Sequence, residues 1–376
     1  MQKIEFYKHN LTQEDKDECL KILDSLFLTT GQTVKQFEEK FSQYLGCTHT
    51  VTVSSCTDAL FLALKYYNIQ TGDEVITTPL SFIATANAIE YCNATPVFVD
   101  VEEHTGNINA DLIEAAITEK TKAIIVVHLY GQMCDMKKIK EIADKHNLPI
   151  IEDCAHCIEG TRDNIRVGQL GDIACFSFYA TKNITSGEGG ALSCNDEKIY
   201  NWLLKARQHG MSKNAAERYT KRYEHYDMEF LGYKCNMTNI QAALLIHQLD
   251  HIESFLEAKE RIAQLYNQGF QNNEHIKIPQ VLSASKHARH LYTIWVDPLK
   301  RDTYLQDIQE AGIGIAVNFR PIHLMKYYRE KYNFNDGAFE VAEKIGNSTI
   351  TLPLYPKLTD EEIQYCIKTI NQITQR

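Results

Sequence analysis

Seven short apolar segments are spaced along the first half of the chain: "HTVTVSS", "DEVITTP", "TPVFVDV", "TKAIIVVHLYG", "LPIIEDCAH", "DIACFSFYA" and "GGALSCN". Amphipathic helical text such as "CTDALFLALKYYN", "SFIATANAIEYC" and "DMKKIKEIADKHN" separates most of them. Strands that alternate with helices cannot be joined by tight hairpins. They are expected to form a mostly parallel sheet with helices on both faces. Ligands in such sheets sit beyond the C-terminal ends of the strands. The positions to inspect are therefore Ser54–Asp58, Thr77–Phe82, His128–Gly131, Asp153–His156 and Ser177–Lys182.

Residues 12–45 read as helical, opened by Thr12 with Asp15 three residues on and closed at Gly46. Beyond residue 240 the pattern changes to a long helical run, a strand "HLYTIWV", a helix, a further strand "IGIAVNF" and a closing helix. The expected fold is α/β. Residues 1–240 form a large domain, and residues 241–376 a smaller C-terminal α+β domain on which the N-terminal helix is placed to pack.

A net charge of −10 in 376 residues disfavours nucleic acid or an anionic membrane as partner. The N-terminal text has no signal-peptide core, and no apolar run approaches the roughly 20 residues of a membrane span. Eleven scattered cysteines suit free thiols, so a cytoplasmic protein is expected. "CAHC", Cys154 to Cys157, has redox or zinc spacing, but no second pair follows, and no metal is expected.

Lys182 stands where the apolar strand "CFSFYA" gives way to the glycine-rich "SGEGG". A lysine held away from water keeps more of its amine neutral and nucleophilic. In a cytosolic α/β enzyme, that amine suits covalent attachment of pyridoxal 5′-phosphate. The cofactor then demands a buried carboxylate for its ring nitrogen, and Asp153 ends an apolar strand 29 residues earlier. Its phosphate needs a helix N-terminus. "VSSCTDALFLAL", opening near Thr57, offers one, and Ser177 adds a hydroxyl. Phe82 can cover the ring. Each has a plainer reading as loop carboxylate, N-cap or core aromatic; together they point to one site.

"TTPLSFIATANA", "EDCAH", "SFYATKNITSGEGG", "GYKCNMTNIQAAL" and "LPLYP", in this order along a resemblance that runs from about residue 28 to 356, resemble the sugar-nucleotide aminotransferases of DegT/DnrJ/StrS type. These belong to the fold-type I pyridoxal phosphate enzymes. The resemblance implies that Lys182 binds the cofactor covalently and that Asp153 pairs with its ring nitrogen. It implies that His156 lies against the cofactor, that Phe82 covers the ring, and that Ser177, Thr57 and Asp58 hold the phosphate. "LGYKCNMTN" would reach across a homodimer, with Lys234 and Asn236 contacting the partner's cofactor phosphate. His323 and Arg320 are implied near the sugar, and "RQHG" at Arg207 is a further candidate anion contact. The family often has glycine where this chain has Cys56, and a dehydrating branch has histidine where this chain has Lys182.

"KNITSGEGG", "GYKCN" and "NFRPIHLMKYYREKY" look most like the enzymes that aminate C4 of UDP- or dTDP-linked 4-keto sugars, with glutamate as donor and 2-oxoglutarate as product, for polysaccharide or lipopolysaccharide synthesis. The alternatives are amination at C3 or of a cyclitol ketone, and a non-catalytic, cofactor-binding regulatory protein. The basic, tyrosine-rich run Glu217–Asp227 reads as an exposed loop, a candidate lid.

Overall fold

The computed structural model describes residues 3–212 and 225–375. Its central sheet is built from β1 (His49–Val53), β2 (Glu74–Thr77), β3 (Thr95–Phe98), β4 (Thr121–Val127), β5 (Ile150–Asp153), β6 (Ile173–Ser177) and β7 (Gly190–Cys194). The order across the sheet is β1-β7-β6-β5-β4-β2-β3. Neighbours from β3 to β6 pair in parallel, whereas β7 is antiparallel to both β6 and β1. Side chains alternate between two cores, as the pleat requires. Ile124, Val126, Phe176 and Ala191 face one side; Ala123, Ile125, Cys175 and Leu192 face the other.

Helices α1 (Gln13–Leu23), α2 (Gln32–Leu45), α3 (Cys56–Tyr66), α4 (Ala84–Tyr91), α5 (Met136–His146), α6 (Glu197–Ala206) and α7 (Asn239–Phe270) clothe and extend this sheet. Thr12 caps α1 in a capping box with Asp15, and Gly46 ends α2 with φ 72°. On one face Phe37 and Phe41 of α2 meet Phe176 and Phe178 at ring distances of 5.0–5.6 Å. All four rings are fully buried, each worth about 1.5–3 kcal/mol by area alone.

The 32 residues of α7 form one helix, opened by a capping box between Thr238 and Gln241. Its first half, with Ala242, Leu245 and Leu249, completes the core over the large sheet. Its second half, with Ile262, Tyr266 and Phe270, belongs to a separate core shared with Ile294 and Ile350. That second core holds the antiparallel pair β8 (Tyr292–Trp295) and β9 (Thr349–Leu352) and the helix α8 (Asp360–Thr374). The N-terminus joins it too: Ile4 is buried there, its N–H donating to Gly312 O at 2.9 Å. The expected strand "IGIAVNF" is absent as a ladder. Ile313 bridges only Ile4, and Ala316 only Thr351. Each residue finds a different neighbour, so no run of pairs forms.

Candidate active site

Strand register brings the conspicuous sequence positions to one edge. Asp153 lies opposite Cys175, Ser177 opposite Gly190, and Gly190 opposite Val53. The ends of β5, β6 and β1 and the start of β7 therefore meet, and α3 begins there. Ser55 caps α3 by accepting from Asp58 N at 3.0 Å. The amides of Cys56 and Thr57 at the helix mouth have no intrahelical acceptor. Gly190 lets β7 pass directly beneath this turn; a Cβ there would fall 2.4 Å from the Ser55 carbonyl carbon and 2.6 Å from Cys56 N.

A cavity of about 470 Å³ opens over this edge. Its floor and walls include Cys56, Thr57, Asp153, His156, Ser177 and Lys182, with Phe82 and Tyr179 beside its mouth. His290 and Phe319 cover it from the C-terminal part of the chain. Asp153 is nearly inaccessible, and its two oxygens are separately held. Oδ2 accepts from Thr85 Oγ1 at 2.8 Å, and Oδ1 from Ala155 N at 3.1 Å. Burial raises its pKa, while Thr85, Ala155 N–H and Lys182 oppose that rise.

Burial brings Lys182 down from 10.5 to about 8, against the upward pull of Cys56 and Asp153. Its Nζ lies 3.5 Å from His290 Nε2. His290 stacks on His156 at 4.5 Å, and His156 stacks on Phe319 at 5.6 Å and 6°. Burial and the Lys182 charge keep both imidazoles well below the usual histidine pKa, so both are neutral. The His156 Nδ1 accepts from Tyr130 N at 3.3 Å, which puts the ring proton on Nε2.

Other sequence candidates lie elsewhere. Asp58 sits at the helix start, but its carboxylate accepts from Ser54 Oγ at 2.6 Å and Ser55 Oγ at 2.7 Å and does not line the cavity. Arg207 does not line the cavity: it is buried, donating to Glu38 at 2.5 Å and to Thr52 O at 2.7 Å. His323 is fully buried against Phe334 and Phe339 with Nε2 2.9 Å from Glu343, off the cavity. Arg320 is exposed one residue after Phe319. Lys234 and Asn236 run beside β1, through the Val53–Asn236 bridge, and line no part of this chain's cavity. Lys234 donates to Asn236, and Asn236 to Thr30 Oγ1 at 2.6 Å. Most of the candidate lid Glu217–Asp227 lies outside the described residues.

Cys56 leaves the helix start intact and puts Sγ 4.0 Å from Asp153 Oδ1. "CAHC" does not form a disulfide; all eleven cysteines are free thiols. His128, Glu152 and Cys154 cluster tightly enough for a metal. Glu152, however, already accepts from His128 and from the amides of Gly168 and Gly171 at 2.7–2.9 Å. Thr85, His290 and Phe319 escaped the sequence reading. Thr85 is three residues past Phe82, in the first turn of α4, where it reads as an ordinary helix residue. His290 and Phe319 come from the C-terminal part of the chain, and no local spacing announces them.

A desolvated amine, a buried carboxylate, an open helix mouth with two hydroxyls and a flanking aromatic suit a small planar pyridine that carries an aldehyde and a phosphate. Residues 9–371 match the DegT/DnrJ/EryC1/StrS aminotransferase family. The chain belongs to that family. It is 41% identical to the spore coat polysaccharide biosynthesis protein SpsC of Bacillus subtilis, over 96% of this chain and 95% of that one. It is 35% identical to the GDP-perosamine synthase of Caulobacter vibrioides, over 96% of each. The solved structure of Helicobacter pylori PseC, an aminotransferase involved in the biosynthesis of pseudoaminic acid, superposes with TM-score 0.93 at 29% identity, over all of both chains. This protein is accordingly a pyridoxal phosphate-dependent sugar aminotransferase of fold type I.

Proposed function

We propose that the enzyme transfers an amino group from glutamate to C4 of a nucleotide-linked 4-keto sugar, the resulting amino sugar serving polysaccharide synthesis. The observation that carries the reading is the pairing, in one cavity, of the Lys182 amine with the buried Asp153 carboxylate. In this reading Lys182 holds the cofactor covalently, Asp153 faces the ring nitrogen and Phe82 keeps the ring's plane. Thr57, Ser177 and the amides at the mouth of α3 receive the phosphate. When bound, pyridoxal phosphate supplies an aldehyde for the donor's nitrogen and a ring that accepts the electron pair of the broken C–H bond.

Once the donor has displaced it, Lys182 is free to move protons. In the cofactor-free protein its pKa is about 8, so about a tenth of the amine is neutral at pH 7, and the neutral form is the one able to take the proton from the donor's α-carbon. The same amine delivers a proton to C4 of the sugar in the return half. His156 and His290, both neutral, add no charge that would compete with Asp153.

The enzyme works, on this proposal, as a homodimer in the cytoplasm. Lys234 and Asn236 stand outside their own cavity, beside the edge strand β1 and close to the exposed Leu231. A second copy bringing its own Lys234 and Asn236 would add a charge and a hydrogen bond to the phosphate site. Among the described residues no helix is long and apolar enough to cross a membrane. The test of substrate is the pyridoxamine form mixed with a panel of keto-sugar nucleotides. Return of the pyridoxal-form absorbance with 4-keto sugars supports the reading. Return only with 3-keto sugars or cyclitol ketones overturns it.

A further inference from the structure

Asp153 has a geometry that its charge alone does not require. It is 4% exposed, at the end of β5, and its two oxygens have different partners. The Ala155 amide and the Cys56 thiol lie on the Oδ1 side, at 3.1 and 4.0 Å. On the Oδ2 side stands, among the described residues, a single donor, Thr85 Oγ1, at 2.8 Å. Thr85 is itself only 1% exposed, in the first turn of α4. Its hydroxyl has one proton, and three oxygens are near it: Asp153 Oδ2, Ser81 Oγ at 3.2 Å and Phe82 O at 3.4 Å. An ionised carboxylate only accepts, and this contact is the shortest, so the proton goes to Asp153. Ser81, 2% exposed, then donates to Thr85. The result is a directed chain, Ser81 to Thr85 to Asp153, in a dry setting that strengthens each link.

We infer that Thr85 is a positioning residue for Asp153: its hydroxyl, oriented by Ser81, fixes the angle at which the carboxylate faces the cavity. The residue type suits the task. A threonine in a helix is confined to two main χ1 rotamers, and here the hydroxyl takes the one that reaches Asp153, whereas a serine at the same place would keep the donor with less restraint. The bond also ties α4, and Phe82 just before it, to the end of β5. One hydroxyl thus links the carboxylate assigned to one edge of the ring with the aromatic assigned to its face. The inference rests on the proposed role of Asp153. The other groups whose charges bear on Asp153 are the Lys182 amine and His128, with the thiols of Cys56, Cys154 and Cys175 nearby. Among the described residues Thr85 is the one side-chain hydroxyl that donates to it.

The test reads Asp153 directly, in cofactor-free protein. Aspartate labelled with carbon-13 at the carboxyl is titrated by NMR, the Asp153 signal being assigned by its loss in Asp153→Asn. Thr85→Val keeps the shape and removes the donor. The carboxylate then loses a bond that favoured its charged form, and its midpoint is expected to rise by about one unit, a tenfold change in its ionisation constant. Thr85→Ser is expected to return it most of the way. In the loaded enzyme, Thr85→Val should lower kcat about tenfold with KM for the keto sugar within about twofold, the split that marks loss of alignment rather than of binding.

A Thr85→Val midpoint equal to wild type overturns the inference, whatever the activity. A Thr85→Ser midpoint that follows the valine variant also overturns it, since the methyl would then be what matters. If Thr85→Val does not fold, Ser81→Ala decides. It removes only the link behind Thr85 and is expected to raise the midpoint by a smaller step, and no change there overturns the chain. The parent reading is tested separately. With nitrogen-15 in the cofactor ring, an unchanged ring signal in Asp153→Asn removes Asp153 from the ring nitrogen and leaves the free-protein result for Thr85 standing.

Discussion

Covalent capture of pyridoxal phosphate by the cofactor-free protein should follow the ionisation of Lys182. Only the neutral amine attacks an aldehyde. Burial moves the Lys182 pKa from 10.5 to about 8. At any pH well below both values, a drop of that size multiplies the neutral fraction by about 300. At pH 7.5 roughly a quarter of the amine is neutral, against about one part in a thousand for a surface lysine. The sign is that of a cation penalised by desolvation: capture is slow at pH 6, rises through about 8 and levels above it. The assay mixes apoenzyme with pyridoxal phosphate across a pH series, quenches with borohydride and counts label on the Lys182 peptide. Asp153→Asn provides an internal check. The Asp153 charge raises the Lys182 pKa, so its removal should shift the capture midpoint to lower pH. A midpoint near 10, an upward shift in Asp153→Asn, or label on another lysine would refute the reasoning.

Asp153→Asn should retain cofactor yet lose at least ~100-fold in kcat, the scale on which a lost electrostatic partner acts; steady-state kinetics check it. Mixing inactive Lys182→Ala with Lys234→Ala/Asn236→Ala should restore about a quarter of wild-type activity after random exchange, because half the dimers are hybrids with one intact site of two. No recovery after confirmed subunit exchange rules out shared sites. Gly190→Ala forces a methyl against the backbone at the start of α3. It should cost about 1–3 kcal/mol in denaturant unfolding and weaken cofactor retention on dialysis.

What the sequence disclosed was whatever local spacing controls. The β–α alternation, the Thr12 capping box and the Gly46 stop all depend on residues a few positions apart, and the structure has each of them. Lys182, Asp153 and Ser177 were legible because strand ends in a parallel sheet converge on one edge. The contacts assigned to the C-terminal part were not legible in the same way. His323, expected near the sugar, and, in the large domain, Arg207, a candidate anion contact, are claimed away from the cavity by Glu343 and Glu38. His290 and Phe319 enter the cavity from the C-terminal part of the chain, Phe319 packing in a small cluster with Leu80, Leu129 and Tyr130, and no periodicity reports that meeting. The strand expected at "IGIAVNF" failed for a related reason, since its potential partners come from the two ends of the chain.

The central claim is that the Lys182 amine delivers a proton to C4 of the keto sugar as nitrogen arrives there. It is tested most directly by running the full reaction in deuterium oxide with a 4-keto sugar nucleotide and glutamate, and reading the product by proton and carbon NMR. The account predicts one deuterium on C4, the carbon that bears the new amine, and no product from Lys182→Ala. Deuterium and nitrogen at C3, or an aminated product formed by Lys182→Ala, would contradict it.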